Sequence, residues 1–547
     1  MNSSRPHLAV LFAILVLAVS AFAIRYSVAS SEQFWLDELH TSWVVQGDWS
    51  GLSSRAADGN QQPIFFMLVA GMVALLGHSE FSLRAVSVLA GVGMMVASAW
   101  LTWRWTRSSI AGILVAILVT FDVQFVFYGT EARPYALVEF LSVIQVMFFV
   151  HAVFQSRLSN ADANARSVAR SARSRFSPLV GWAVVSVALV YTHVTAVWLL
   201  AVEVVFLTGL WLLRTRRNSR EAEGRTAELS WVRFVVTAMV VAVALIPAVF
   251  QVAWIMNRKG NWQSVSSVMG LWGESWRVIL LLIGLPLVYL VVSRDIRRTH
   301  RPGSLFDRTI YARCLDSKSL LAFVALWALG PFVIVSVLAG TGIAPLALTR
   351  YTLVGALGLP VFAGFCVGSL PSKLNQAGLA LMVLGLFAIQ NPVIQLGLQA
   401  RQIPQFRIED WRTPVSEINS NPGKSGQPVF LFGNVIEDSA ALDSDDPAFQ
   451  EYLLFPLLGL KEFDAADRIV QSGSTLGWTH FSNEQIVHAN QQGGAWVVIR
   501  ASDELVNEIG NELRERLALL QGVPPEVIRI SKLETGLSPV GLLLVDW

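Results

Sequence analysis

Twelve apolar stretches succeed one another along the first 398 residues of the chain. They lie at about 8–29, 63–77, 84–103, 109–128, 135–154, 179–193, 195–213, 231–252, 276–293, 319–339, 350–370 and 376–398. A helix needs about 20 residues to cross the hydrocarbon core of a bilayer, and most of these stretches approach that length. The sequence therefore predicts an all-α, multi-pass protein of the plasma (inner) membrane. The first stretch, which follows Arg5 and His7, is interpreted as a retained helix rather than a cleaved signal peptide.

Basic residues indicate how the helices are oriented. Loops with many Lys and Arg residues stay in the cytoplasm, and three loops between apolar stretches are strongly basic, with arginines at Arg157, Arg166, Arg170, Arg173, Arg175, Arg214, Arg216, Arg217, Arg220, Arg225, Arg294, Arg297, Arg298, Arg301, Arg308 and Arg313. Arg104 and Arg107 join them only if the short stretch 63–77 does not cross. We therefore expect eleven spans, a cytoplasmic N-terminus, and an interfacial helix at 63–77 within an outer loop of residues 30–83.

The chain divides into a membrane part, residues 1–398, and a mixed segment, residues 399–547, which the orientation places outside the cytoplasm. Three runs in this segment, 429–433, 495–499 and 540–545, are typical of buried strands, and 503–520 is typical of a helix. We expect a small α/β domain of about 150 residues. It contains no recognisable catalytic motif, so it is interpreted as a lid or stabilising module, or as a part that recognises the acceptor.

The overall charge and the cysteines exclude other classes of function. The formal net charge is only +2, whereas a nucleic-acid partner would require a concentrated basic face. Neither of the two cysteines, Cys314 and Cys366, lies in the C-terminal segment, so no disulfide framework supports it.

Two adjacent acids, Asp37 and Glu38, lie in the first outer loop near the membrane surface, followed by His40. A transfer reaction to a hydroxyl needs a base, and apolar surroundings raise the proton affinity of a carboxylate. Either acid could therefore serve as a general base. The alternative is that both are solvated loop acids.

Other polar residues in the predicted outer loops could bind substrate. Arg133, Arg350, Arg258 and Lys259 are candidates for binding a phosphate, although Arg350 could instead anchor its helix at the interface. Glu131, Tyr351, Gln62, His40 and His193 are candidates for substrate contacts. A local Glu131–Arg133 ion pair and a structural role for His193 are the alternatives.

The order of these motifs resembles the superfamily of protein O-mannosyltransferases and lipid A aminoarabinose transferases, which have the multispanning GT-C fold. The resemblance covers about residues 8–412 and rests on motifs in a fixed order: Asp37-Glu38, the Pro63-Ile64-Phe65-Phe66 helix, Phe81-Ser82-Leu83-Arg84, Tyr128 to Tyr135, Tyr191-Thr192-His193, Arg350-Tyr351 and Asp410-Trp411-Arg412. The chain departs from it at Gln61-Gln62-Pro63, where many members have His-Pro-Pro.

The resemblance implies an inverting glycosyltransferase that uses a polyprenyl-phosphate sugar donor on the extracytoplasmic face. By position, Asp37 would be the catalytic base, Glu38 would orient the acceptor or a cation, and Arg133 and Arg350 would bind the donor phosphate. The acceptor is left open among lipid, glycan and protein, and so is a divalent cation. Two other classes of function remain: a transporter or lipid flippase, for which Glu139 and Glu203 within spans are the best features, and a membrane scaffold.

Overall fold

The computed structural model describes residues 5–155, 168–217, 224–258, 317–343, 348–391, 393–394, 406–421, 424, 426–435, 447–464, 466–471, 481–533 and 538–546. The predicted span at 276–293 lies outside these residues.

The described residues of the membrane part form helices joined by short turns and loops. Its helices are α1 (Arg5–Ser31), α2 (Leu36–Gln46), α3 (Leu52–Asp58), α4 (Pro63–Leu76), α5 (Glu80–Thr106), α6 (Ser109–Phe121), α7 (Val123–Tyr128), α8 (Tyr135–Gln155), α9 (Val168–Val190), α10 (Val197–Arg217), α11 (Gly224–Ala244), α12 (Ile246–Arg258), α13 (Ser317–Gly340), α14 (Leu353–Ala356), α15 (Gly358–Gly368) and α16 (Lys373–Gln390).

Six helices among the described residues are long and apolar enough to cross a membrane, and α11 with α12 forms a bent pair that makes a seventh if the two are one span. The chain is therefore a multi-pass membrane protein. Helix α4 has only 14 residues, which extend about 21 Å and fall short of the roughly 30 Å hydrocarbon core. Its length agrees with the predicted interfacial helix, although its position relative to a membrane remains a prediction.

Helix α5 lies at the centre of the membrane part, where it packs against α1, α4, α6 and α8. Small residues on its buried faces permit this, since Ser87, Ser98 and Ala99 are fully buried. The helix begins with a capping box in which Ser79 and Ser82 satisfy each other's backbone N–H groups. The capping box thereby stabilises the first turn of α5.

The C-terminal segment forms the predicted α/β unit. Its helices are α17 (Arg412–Asn419), α18 (Pro447–Tyr452), α19 (Phe455–Leu458), α20 (Asn483–Gln491) and α21 (Asp503–Gln521). Its strands are β1 (Val429–Phe432), β2 (Ile469–Gln471), β3 (Gly494–Arg500), β4 (Arg529–Leu533) and β5 (Val540–Asp546). They form one mixed sheet in the order β2-β1-β3-β5-β4, with β1 parallel to β2 and β3, and β5 antiparallel to β3 and β4.

The sequence predicted β1, β3, β5 and α21 but missed two strands. β2 has only three residues, and β4 reads Arg-Ile-Ser-Lys-Leu at the edge of the sheet. Neither provides the apolar run that marks a buried strand.

One face of the sheet packs on α2. Leu431, Trp496 and Leu542 share a buried apolar cluster with Leu39 and Trp43 of α2. The alternate residues of the same strands face α20 and α21, as the two-residue period of a strand requires. The C-terminal unit thus covers the helix that carries the Asp37-Glu38 pair.

Candidate active site

Asp37 lies in the first turn of α2, where two arginines from distant parts of the chain meet it. Its carboxylate is 3.8 Å from Nη2 of Arg133 and 3.7 Å from Nη1 of Arg350, and its side chain is 28% exposed. Arg133 comes from the turn between α7 and α8, and Arg350 from a 3-10 turn before α14. The structure therefore brings together three residues that the sequence proposed separately.

The pKa of Asp37 differs in direction from our expectation. Burial opposes ionisation, but the guanidiniums of Arg133 and Arg350 outweigh it and hold the pKa of the Asp37 carboxyl below its usual value. The expectation of a raised proton affinity was therefore wrong for the free protein. The carboxylate is ionised at neutral pH and available to accept a proton.

Arg133 is fixed by the backbone and by His40. Its Nη1 donates to the carbonyl oxygen of Asp37 at 3.2 Å and to Nδ1 of His40 at 3.3 Å. Burial, followed by the charge of Arg133, lowers the pKa of His40 to about 3, so the ring is neutral and its Nδ1 can accept. The other ring nitrogen, Nε2, can then donate to the carbonyl oxygen of Arg55 at 3.4 Å. In the free protein His40 positions Arg133.

Glu38 occupies a different environment from its neighbour. Its carboxylate is fully buried and accepts from Nε of Arg84 at 2.7 Å, from Nη2 of Arg84 at 2.5 Å and from the backbone N–H of Ala132 at 2.8 Å. Burial opposes its ionisation, but Arg84 and Arg407 lower the pKa of Glu38 below its usual value. The structure thus places Glu38 in the framework of the site, paired away from the exposed face of Asp37.

Sequence reasoning missed two buried arginines that hold this framework. Arg84 also donates to the carbonyl oxygens of Ala29, Glu32 and Gln33 at 2.7–2.9 Å, at the C-terminal end of α1 and just after it. Arg407 pairs with the carboxylate of Glu32 and lies over the ring of Phe127 at 5.1 Å. A signal for Arg84 was present, because a charge so near the start of an apolar helix requires a partner.

Glu131 lies in the same turn as Arg133 but is not paired with it. Its side chain is almost fully buried, and neither carboxylate oxygen has a hydrogen-bond partner. Burial is the main cause that raises the pKa of Glu131 to about 8, against the opposing charge of Arg407. The alternative of a local ion pair is therefore not realised between these two described residues, and Glu131 carries a proton at neutral pH.

This protonation predicts a pH-dependent stability. The pKa of Glu131 is raised above its unfolded value. The contribution of its protonated form to the stability of the folded protein is therefore fully present below about pH 4.5 and is lost as the pH rises towards 8. In this window, ionisation of Glu131 should decrease the free energy of unfolding of the wild type by up to about 1.4 kcal/mol per pH unit. We expect Glu131→Gln to lack this decrease. Thermal unfolding in detergent from pH 5 to 9 measures it. Parallel curves for the wild type and the variant would contradict the assignment.

Arg350 lies beside a group of three packed rings, those of Tyr351, His193 and Tyr135. Its guanidinium lies 5.4 Å from the ring centre of Tyr351, and the ring of His193 lies 6.5 Å from Tyr351 and 5.5 Å from Tyr135. Burial, then the charges of Arg350 and Arg133, lowers the pKa of His193 to about 3. A neutral His193, with Nδ1 at 2.7 Å from the Thr195 hydroxyl, completes the boundary of the site beside Arg350.

The remaining candidates occupy other positions. Gln62 precedes α4 and donates from Nε2 to the side-chain oxygen of Gln251 at 2.7 Å, which connects the start of α4 to α12. Arg258 ends α12, but its side chain lies outside the described residues, as does the whole of Lys259. Neither cation can be related to Asp37.

The environment of Asp37 does not fit a divalent cation. Two guanidiniums face its carboxylate, the adjacent Glu38 is paired with arginine, and burial raises the pKa of Glu131 to about 8. Within the described ranges no group of three or more His, Cys, Asp or Glu residues is arranged to hold a metal ion.

Comparison with known proteins supports the fold. No protein-family model matches the chain, and no curated protein does. Similar solved structures include ArnT from Cupriavidus metallidurans in the apo state, with 12% identity and a TM-score of 0.52, and the same protein bound to undecaprenyl phosphate, with 12% identity and a TM-score of 0.51. Each match covers 99% of this chain and 98% of the other. The chain therefore has the overall fold of ArnT, a GT-C fold, as its sequence predicted.

Proposed function

We propose that the protein is an inverting membrane glycosyltransferase that transfers a sugar from a polyprenyl-phosphate donor to an acceptor hydroxyl. The observation that carries the proposal is the partly exposed carboxylate of Asp37 between the guanidiniums of Arg133 and Arg350. A carboxylate can act as a base towards a hydroxyl, and guanidiniums bind phosphate in a fork geometry. The similarity to a protein that was solved with undecaprenyl phosphate supports this choice of donor.

The proposed reaction follows from Asp37 as a base and from the two arginines as phosphate-binding groups. The acceptor oxygen attacks the anomeric carbon from the side opposite the phosphate, and the bond from that carbon to the phosphate oxygen breaks. Asp37 takes the hydroxyl proton, while Arg133 and Arg350 stabilise the charge on the leaving polyprenyl phosphate. No nucleotide and no metal ion is required by this sequence of events.

Donor binding would also strengthen the base. In the free protein the two arginines lower the pKa of Asp37. A phosphate that pairs with them offsets their charge, so the proton affinity of Asp37 rises when the donor is bound. The lowered pKa of the free protein is thus compatible with general-base catalysis in the complex.

We further propose that this site faces the extracytoplasmic side. Arg84 contacts Glu38 at one end of α5, and Arg107 follows the other end of the same helix, roughly 35 Å away at 1.5 Å per residue. If Arg104 and Arg107 are cytoplasmic, Asp37 and the C-terminal unit lie outside. A protease added to sealed, right-side-out vesicles should then cleave the C-terminal unit.

A direct assay tests the proposed function. Purified protein in nanodiscs is incubated with polyprenyl-phosphate sugars and candidate acceptors, and mass spectrometry detects glycosylated acceptor and free polyprenyl phosphate. The sugars and acceptors to test come from comparing cell-envelope glycans and lipids with and without the gene. A protein that moves polyprenyl-phosphate sugars across the bilayer but transfers none of them would be a flippase.

Arg350 should contribute strongly to donor binding. Charge-assisted hydrogen bonds contribute about 1.5–3 kcal/mol, so we expect Arg350→Ala to weaken the binding of undecaprenyl phosphate by about 10- to 150-fold, and Arg350→Lys less. Arg412→Ala, which removes a half-exposed arginine of the C-terminal unit, serves as the control. Equal affinities of Arg350→Ala and Arg412→Ala, measured by microscale thermophoresis, would contradict the phosphate role.

One of the two residues that favour the transporter alternative, Glu203, has a role in helix packing. Glu203 accepts from Nε2 of Gln145 at 2.9 Å and from Nε1 of Trp182 at 3.0 Å. These bonds join α8, α9 and α10 within the bundle, so Glu203 is accounted for as a packing residue.

A further inference from the structure

The helix that carries Asp37 has an unusual cap. Trp35 is the N-cap residue of α2, and its side chain makes no capping hydrogen bond. The first backbone N–H groups of a helix need an acceptor from elsewhere. The N–H of Leu36 finds one in Oε2 of Glu409 at 2.8 Å, from a residue 373 positions away in the chain.

Glu409 is itself held firmly. Its Oε2 accepts from Nε1 of the buried Trp411 at 2.9 Å. Its Oε1 accepts from Nε of Arg500 at 2.8 Å and from Nη2 at 2.7 Å. The carboxylate is nearly buried, and such charge-assisted fork pairs have a specific geometry.

Arg500 connects this cap to the sheet of the C-terminal unit. It is the last residue of β3, which pairs along its length with β5 and also with β1. The cap of α2 is therefore attached to the interior strands of the sheet. Close packing supports the same junction, because a Cβ at Gly459 would lie 2.4 Å from the carbonyl oxygen of Leu39.

The position of Asp37 depends on this junction. Asp37 directly follows Leu36, and Nη1 of Arg133 donates to the carbonyl oxygen of Asp37 at 3.2 Å. The charge of Arg500 is also close enough to contribute to the lowered pKa of Asp37. Without Glu409, the N–H of Leu36 would lose this acceptor, and the C-terminal unit would keep only its other contacts with the first turn of α2, such as that of Gly459 with Leu39.

We propose that Glu409, held by Arg500, is a positioning residue for Asp37, and that the C-terminal unit is thereby an integral part of the active site. The inference rests on the proposed function and gives the C-terminal unit a specific task in it. It goes beyond a general stabilising module, because it depends on one carboxylate and one helix terminus.

The test compares Glu409→Ala, Glu409→Gln and Glu80→Gln. Glu80 pairs with Arg412, so its substitution removes a different ion pair between the same two parts of the chain. Glu409→Gln keeps an oxygen that can accept from Leu36 but loses the ion pair with Arg500. Misplacement of a reacting group by about 1 Å can cost about 100-fold in rate.

We expect Glu409→Ala to lower kcat about 10- to 100-fold with less than about a three-fold change in KM for the donor, and Glu409→Gln to recover part of kcat. Hydrogen exchange should accelerate at the amides of residues 36–39 in Glu409→Ala and stay unchanged in Glu80→Gln. Wild-type kcat in Glu409→Ala, or equal losses in Glu409→Ala and Glu80→Gln, would overturn the inference. A wild-type protein that transfers no sugar rejects the proposed function instead, and the exchange measurement still decides whether Glu409 orders α2.

Discussion

Replacement of Asp37 by Asn is expected to lower kcat by about 10²- to 10⁴-fold, the range that a general base contributes. Asn keeps the size of the side chain but cannot take the proton of the acceptor hydroxyl. The carboxylate is partly exposed, and its distances of 3.7–3.8 Å from the two arginines are too long for hydrogen bonds. Its loss should therefore change the stability little. The measurement is transfer of sugar from a polyprenyl-phosphate donor by purified protein in nanodiscs.

Asp48→Asn is the matched control for this prediction. Asp48 follows the end of α2 and also pairs with an arginine, Arg55, but its side chain is 72% exposed. We expect wild-type kcat from this variant. Donor affinity should remain within a few-fold in Asp37→Asn, because the arginines that bind the phosphate stay in place. Transfer at the wild-type rate by Asp37→Asn would refute the base assignment.

Replacement of the neighbouring acid, Glu38→Gln, should instead destabilise the protein. Removal of one partner from a buried ion pair costs about 3–5 kcal/mol because the other charge stays buried and uncompensated. Here the remaining charge would be Arg84, whose guanidinium is fully buried. We expect a large decrease in Tm, measured by thermal unfolding in detergent, together with a loss of activity that follows the loss of folded protein.

Glu80→Gln provides the comparison, since Glu80 is a partly exposed acid of α5 that pairs with Arg412. Exposed ion pairs contribute about 0–1 kcal/mol, so its Tm should change little. The two acids of the Asp37-Glu38 pair would then differ in kind: one variant is folded and inactive, the other unstable. A stable but inactive Glu38→Gln protein would show that Glu38 takes part in the reaction and not in the framework alone.

The opposite roles of these neighbours explain where sequence reasoning succeeded and where it failed. The adjacent acids made Asp37 a candidate and the loop charges predicted that Asp37, Arg133 and Arg350 share one side of the membrane; the structure brings these three residues together. The shift in the pKa of Asp37 had the wrong expected sign, because the cations that cause it lie 96 or more positions away along the chain. Local sequence shows the apolar surroundings of an acid but not its distant ion-pair partners.

Hydropathy and local periodicity by themselves predicted the apolar helices of the described membrane part and the α/β character of the C-terminal segment, and they singled out candidate residues for chemistry. These features depend on near neighbours, since a helix places its hydrogen bonds within four residues. Only the tertiary structure decided that Glu38 pairs with Arg84, that Glu131 remains unpaired, and that Glu409 caps the helix of Asp37. The physical reason is that a buried charge is stabilised by whichever partner the fold brings within a few ångströms, and its distance along the chain does not indicate that partner.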